Sequence, residues 1–297
     1  MMRRAELTIG ITSWNSELFL PHCIHSVRKT TPDIDVRIAV VDNESTDGSV
    51  RAARELGVDP IVRQCSQGDA LNLLLERSPS RYTLLVHSDV VLLSPQWYSL
   101  CCGKIAGNVV LVSPEDIGCG PYSRPFGAGK PESSFLFFDT EPFRRTAALL
   151  WSRWHRIPYP RVRADFYGEH VTHNLPERLR RKGYAWYPMD VHLSDEVAPP
   201  IYEPAFRPGI WTEELGRLRY GLGNFYSIEG TITHYHNWYD RIDRNVDATC
   251  TRTSAPDGRG FPLAYIKAYT EAFLRDYSAG RVVLPVPAKP DRQPVGL

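Results

Sequence analysis

Arg81–Leu93, RYTLLVHSDVVLL, is the stretch whose reading decides the fold. Tyr82–Val86 is a short apolar, β-prone run, the pattern of a strand buried on both faces. It stops at three polar residues, His87, Ser88 and Asp89, before apolar character resumes at Val90–Leu93. In an open α/β sheet, ligands bind beyond the carboxyl ends of the strands. An imidazole and a carboxylate two residues apart at such an end can hold a divalent cation, with a hydroxyl between them. Alone, the same residues also fit a polar turn after a core strand, with Asp89 capping a backbone amide.

The flanking sequence repeats that strand at intervals. Upstream, Leu7–Thr12 (LTIGIT) reads as a strand followed by TSWN, Thr12–Asn15. Leu20, Cys23, Ile24 and Val27 then recur at helical spacing within Glu17–Lys29, with Pro21 acceptable only in the first turn. Val36–Val41 is a second strand. It runs into Asp42–Ser49, DNESTDGS, a set of turn formers and helix caps, then a helix to about Leu56 with Gly57 as its stop. Pro60–Gln64 reads as a short strand and Ala70–Leu75 as a helix started by Gly68 and Asp69. After the central strand, Ser94-Pro95 predicts a helix start, and Val109–Val112 another strand. Strand and helix alternate with short connections, which predicts an α/β fold: a mostly parallel sheet with helices on both faces.

The alternation ends near residue 113. Pro114–Glu132 reads as a long Gly- and Pro-rich loop, Ser134–Phe138 as a strand, and Glu141–Leu150 and Pro176–Lys182 as helices. Asn174-x-x-Glu177 has the form of a capping box and Gly183 that of a helix stop. Ala185–Pro188 reads as a short strand, Val197–Pro208 as a loop, and Gly230–Asn237 (GTITHYHN) as a strand with His234 and His236 on one face. Leu263–Tyr277 closes as a helix. The tail from Pro285, with four prolines in ten residues, reads as extended or disordered. The expected organisation is 1–113 as a regular α/β half, 114–245 as a less regular half of the same domain, 246–284 as a helical extension and 285–297 as a tail.

Composition narrows the partners. A net charge of +1 over 297 residues provides no field for nucleic acid or an anionic membrane, although peripheral membrane contact through a patch stays open. No run is long enough to span a bilayer, and MMRRAELTIG lacks a secretory h-region, so the expected location is cytoplasmic. The six cysteines show no paired CxxC spacing and read as buried thiols.

In order and spacing, TSWN, DNESTDGS, Gly68–Asn72 and HSD resemble the donor half of an inverting GT-A glycosyltransferase of family 2, most closely over Leu7–Leu93 and more loosely through Ser134–Tyr187 to about His234. The resemblance implies a nucleoside-diphosphate sugar donor, a saccharide or small-molecule acceptor, and Mn²⁺ or Mg²⁺. It places Thr12, Trp14, Asp42, Asn72 and Ser88 at the nucleotide. Trp14 stands where the family usually stacks a tyrosine on the base. Asp42 either accepts the base imide or caps its turn, and Asn72 either supports the pyrophosphate or is a structural amide.

HSD stands at the family's DxD position. Asp89 matches it as a metal ligand; His87 departs from it, and either contacts the ribose or supplies a nitrogen ligand. His234 and His236 are candidates for a remote metal ligand, only one of which fits a single cation, since strand residues two apart are separated by about 7 Å. For the catalytic base the family's acidic pair is replaced by Asp165-Phe-Tyr-Gly-Glu169-His170, which leaves Glu169 or Asp165, with Glu169 preferred. Trp151, Trp154, Tyr159, Phe166, Tyr167 and Trp186 are available as flat surfaces for an acceptor sugar. Two other readings stay open: a sugar-1-phosphate nucleotidyltransferase, which would want a Gly-rich basic loop where TSWNSE stands, and a non-catalytic nucleotide-sugar-binding module.

Overall fold

The computed structural model describes residues 5–116, 129–147, 171–172, 174–193, 220, 223–237, 263–284 and 292–295. The apolar runs of the first half become β1 (Leu7–Ser13), β2 (Val36–Asp42), β3 (Ile61–Val62) and β4 (Tyr82–His87), joined in parallel in the order β3-β2-β1-β4. Parallel neighbours need crossover connections. These contain α1 (Leu20–Thr30), α2 (Ser49–Glu55) and α3 (Gln67–Glu76). Pro21 falls in the first turn of α1, where its missing N–H costs nothing, and Gly57 ends α2 at φ +71°.

All six residues of β4 are buried, and the two-residue period divides them between faces. Tyr82, Leu84 and Val86 pack with Leu20, Ile24 and Val27 of α1 and with Trp97 and Cys101 of α4 (Trp97–Lys104). Leu85 packs with Leu71 and Leu74 of α3 on the opposite face. Gly10 on β1 lies beside Leu85, and a Cβ there would stand 2.7 Å from Leu85 Cδ2 and 3.0 Å from Leu74 Cβ. Gly10→Ala should therefore lower unfolding free energy by about 1–3 kcal/mol, the usual cost of overpacking. Urea denaturation checks this, and an unchanged midpoint would mean that α3 withdraws freely.

Beyond β4 the strands are β5 (Val90–Leu92), β6 (Val109–Asp116), β7 (Lys130–Pro131), β8 (Phe135–Asp139), β9 (Ala185–Leu193), β10 (Gly223–Ile228) and β11 (Thr231–Asn237). The full order is β3-β2-β1-β4-β8-β6-β9-β10-β11-β5, with β7 on β6. β8 is antiparallel to both β4 and β6, so β6 and β9 run in the direction of β4. The expected mostly parallel core with helices on both faces is thus present, with one reversed strand inside it. β9, β10, β11 and β5 follow as antiparallel neighbours. Because β5 follows β4 directly, its pairing with β11 brings the far end of the sheet back to His87–Asp89.

α5 (Thr140–Ala147) and α6 (Leu175–Arg181) join α3 on one face through Phe143, Leu175 and Leu179, and α7 (Leu263–Ser278) covers β11 by stacking Phe273 on Tyr235 at 3.8 Å. Since Tyr235 faces α7, its neighbours His234 and His236 face the other way.

Several local expectations need correction. Ser94 does not start α4; its Oγ accepts from Gln96 N–H, and the helix begins two residues past Pro95 at Trp97. Pro114 does not end a strand, because β6 runs on to Asp116, where β7 pairs with Glu115 and Asp116. Asn174-x-x-Glu177 is not a capping box. Asn174 is already helical (φ −89°, ψ −2°) and makes no side-chain cap, while the Glu177 carboxylate turns to Arg180 and Arg181. β9 is nine residues long rather than four, its outer half paired with β10. In the tail, Arg292 binds Asp190 at 2.8 Å and Val295 bridges to Trp186, so this extended piece is docked on β9. Of the cysteines, Cys23 and Cys101 are buried, Cys65 and Cys102 are half-buried, and Cys119 and Cys250 lie outside the described residues. Among the described residues no helix is long and apolar enough to cross a membrane.

Candidate functional site

β4 delivers His87, Ser88 and Asp89 to the carboxyl edge of the sheet, all buried. The backbone of this turn is held on both sides: Ser88 N–H donates to Thr12 O on β1, and Asn237 N–H of β11 donates to Asp89 O. Register across β5 sets His236 opposite Val90, next to Asp89, and His234 opposite Leu92, farther along. His236 Nε2 lies 3.4 Å from Asp89 Oδ1 and its Nδ1 lies 3.1 Å from Glu132 Oε1. The His87 and His236 rings meet edge to face at 5.5 Å. One ligand atom from each of His87, Asp89 and His236 falls within 4.8 Å of the other two. A carboxylate with two imidazoles is a donor set that suits a divalent transition metal.

Burial alone would lower the His236 pKa, but the Asp89 charge and hydrogen bond, with Glu132 behind them, outweigh it and raise it to about 9. His87 Nε2 lies 2.5 Å from Gln67 Nε2 and 3.2 Å from Ser133 Oγ, so α3 and the segment before β8 set this ring's orientation.

His234 is not brought into this group. Its ring is sandwiched between Phe135 (4.2 Å, 9°) and Tyr226 (4.5 Å, 15°), with Nδ1 at 2.9 Å from Thr233 Oγ1. Burial first, then the His236 charge, hold its pKa well below the ordinary histidine value, with Glu132 opposing. His236→Ala should therefore weaken Mn²⁺ binding at least about tenfold, while His234→Phe, which keeps the stack, leaves it unchanged. Paramagnetic resonance of free Mn²⁺ reads both, and equal losses would contradict this separation.

The loops after β1 and β2 are laced together. Asn15 N–H donates to Ser45 Oγ, Thr46 N–H to Asn15 Oδ1, Ser16 N–H to Ser49 Oγ and Glu17 N–H to Asp47 Oδ2. Asn15 sits at φ +48°, a conformation asparagine tolerates. Asp42 is fully buried, and its two oxygens accept from the N–H and Oγ of Ser45 at 2.7 Å each. Ser88 Oγ donates to Ser16 Oγ at 2.6 Å from a fully buried position. Trp14 is 38% exposed at the lip of this network, next to half-buried Thr12, and Asn72 is half-buried on α3. Glu169 and Asp165 lie outside the described residues, as do Trp151, Trp154, Tyr159, Phe166 and Tyr167. Trp186 is a core side chain on β9, 1% exposed.

Gln67, Ser133 and Glu132 belong to the site and escaped the sequence reading. Gln67 had a signal in the Ser66 N-cap, which fixes the first turn of α3. Glu132 had one only in hindsight: it is the acidic residue before an apolar strand, and that strand's antiparallel pairing puts its amino end beside the carboxyl end of β4.

No curated protein sequence matches the chain. Among solved structures, a mannosyltransferase from Pyrobaculum calidifontis in complex with GDP-Man and Mn²⁺ aligns at 15% identity and TM-score 0.44, over 61% of this chain and 54% of that one. Glucosyl-3-phosphoglycerate synthase from Mycobacterium tuberculosis, with Mn²⁺, UDP and phosphoglyceric acid, aligns at 19% identity and TM-score 0.38, over 47% and 57%. TarS from S. aureus with UDP-GlcNAc aligns at 15% identity and TM-score 0.37, over 50% of each chain. The chain therefore spans little more than half the length of these structures. The profile of glycosyl transferase family 2 matches residues 8–155, the segment that builds β1 to β8 and carries His87 and Asp89, and by that match the chain belongs to this family.

Proposed function

We propose that the protein is an inverting glycosyltransferase that moves a sugar from a UDP- or dTDP-linked donor to a hydroxyl of a saccharide or other small-molecule acceptor. The observation that carries this reading is the convergence of His87, Asp89 and His236 at the carboxyl end of the central strand of a family 2 chain. These three residues would hold Mn²⁺ or Mg²⁺, which supplies positive charge to the departing nucleoside diphosphate.

The remaining work falls to the chain itself. Trp14 offers an exposed indole face to the base, and Thr12 lies beside it. Each Asp42 oxygen has a second lone pair, so Asp42 can hold the Ser45 turn and also accept a pyrimidine imide N–H. Ser88 serves the nucleotide through Ser16, by holding the loop that carries Trp14. Asn72 supports the pyrophosphate from α3. Glu169, or Asp165 in its place, takes the proton from the acceptor hydroxyl. A cytoplasmic location belongs to the same reading, with peripheral membrane contact open.

Trp14→Ala should weaken nucleotide binding by about 1–3 kcal/mol, the range for loss of base–aromatic stacking. Tryptophan fluorescence during titration with UDP or dTDP checks this, and no quenching in the parent protein would remove Trp14 from the site. The function itself is tested by incubating the protein with a panel of nucleotide sugars and acceptors, with Mn²⁺ or with chelator. Metal-dependent release of nucleoside diphosphate is expected. Pyrophosphate formed from a nucleoside triphosphate and a sugar 1-phosphate would make it a nucleotidyltransferase, and binding without turnover would make it a non-catalytic module.

A further inference from the structure

We propose that Glu132 is a positioning residue that orients His236 toward a cation shared with Asp89 and His87, an inference that rests on the metal reading above. An imidazole has two ring nitrogens, and in His236 each faces a carboxylate: Nε2 faces Asp89 Oδ1 at 3.4 Å and Nδ1 faces Glu132 Oε1 at 3.1 Å. A histidine that ligates a metal through one nitrogen commonly gives the other N–H to a carboxylate, which fixes its tautomer and its ring plane. Glu132 does not belong to the group whose ligand atoms lie within 4.8 Å of one another, so it stands one layer behind it.

Glu132 is itself held from three directions. Its N–H donates to Pro114 O at 2.8 Å, its carbonyl accepts from Ser113 Oγ at 3.0 Å, and its Oε2 accepts from Tyr226 OH at 2.9 Å. Glu132 is 6% exposed, and burying a carboxylate is costly unless its charge meets partners. Tyr226 in turn is stacked on His234 at 4.5 Å, and His234 on Phe135. This gives His234, the first histidine of THYHN, a role without a ligand position: it holds the Tyr226 ring so that its hydroxyl reaches Glu132. The line Phe135, His234, Tyr226, Glu132, His236 thus runs from the core to the cation group.

The test uses the full chain and Mn²⁺ alone, with three readouts: Mn²⁺ affinity by paramagnetic resonance, histidine nitrogen coupling to bound Mn²⁺ by spin-echo modulation, and UDP quenching of tryptophan fluorescence in chelator. Glu132→Ala should weaken Mn²⁺ about 10–100-fold and remove the same nitrogen signal as His236→Ala, with metal-free UDP quenching unchanged. Glu132→Gln should fall between it and the parent, because an amide oxygen still accepts from Nδ1–H but carries no charge. The Gln variant preserves shape and so keeps the question decidable if the Ala variant fails to fold. A parent protein that binds no Mn²⁺ would defeat the metal reading itself. Parent-like affinity and nitrogen coupling in both variants would overturn the role of Glu132 alone. Lost affinity with nitrogen coupling intact would overturn it too, by making Glu132 a ligand.

Discussion

Asp89→Ala is expected to abolish the metal-dependent part of nucleoside diphosphate binding while the protein remains folded. Asp89 is the carboxylate of the three-residue group and is 1% exposed. Loss of a ligand should exceed the roughly 10–100-fold cost of losing a partner behind one. Breaking a buried charge pair usually destabilises by several kcal/mol because one charge is left stranded. Here His236 keeps Glu132 at its other nitrogen, and the Asp89 backbone link to Asn237 does not involve the side chain. Calorimetric titration of UDP with and without Mn²⁺, alongside thermal melting, measures both halves of this expectation. Parent-like affinity in the presence of Mn²⁺ would remove Asp89 from metal binding.

Glu169→Gln is expected to cut turnover about a hundredfold or more and leave nucleotide affinity intact, the signature of a lost general base. An acceptor hydroxyl is a poor nucleophile at neutral pH, so its proton must leave as it attacks. A carboxylate within hydrogen-bond reach, on the face opposite the departing diphosphate, accomplishes this with inversion. Asp165→Asn should be milder. Steady-state kinetics of both variants decides: a dead Asp165→Asn beside an active Glu169→Gln would reverse the assignment, and two active variants would place the base elsewhere.

The first half of the chain was legible because its signals are local. Strand and helix periodicities, the Pro21 and Gly57 punctuation and the buried run before His87 depend on near neighbours in the chain, and the structure places β1 to β4 and α1 to α3 within a few residues of expectation. The miss at Asn174 shows where local reading stops. A capping box needs a β-region backbone at its first residue and a glutamate with nothing better to bind, and Arg180 and Arg181 are better partners for Glu177.

By itself the sequence determined that a buried central strand presents His87, Ser88 and Asp89 at its carboxyl end, and that His234 and His236 share one face of a later strand. Two residues on one face look alike to any pattern of period two. Only the tertiary structure decided between them, because the antiparallel register of β11 on β5 sets His236 beside Asp89 and leaves His234 between two aromatic rings. Glu132 was decided in the same way. Its meeting with His236 depends on the order of β8, β6, β9, β10 and β11 across the sheet, and strand order is a property of long-range pairing that no stretch of neighbouring residues encodes.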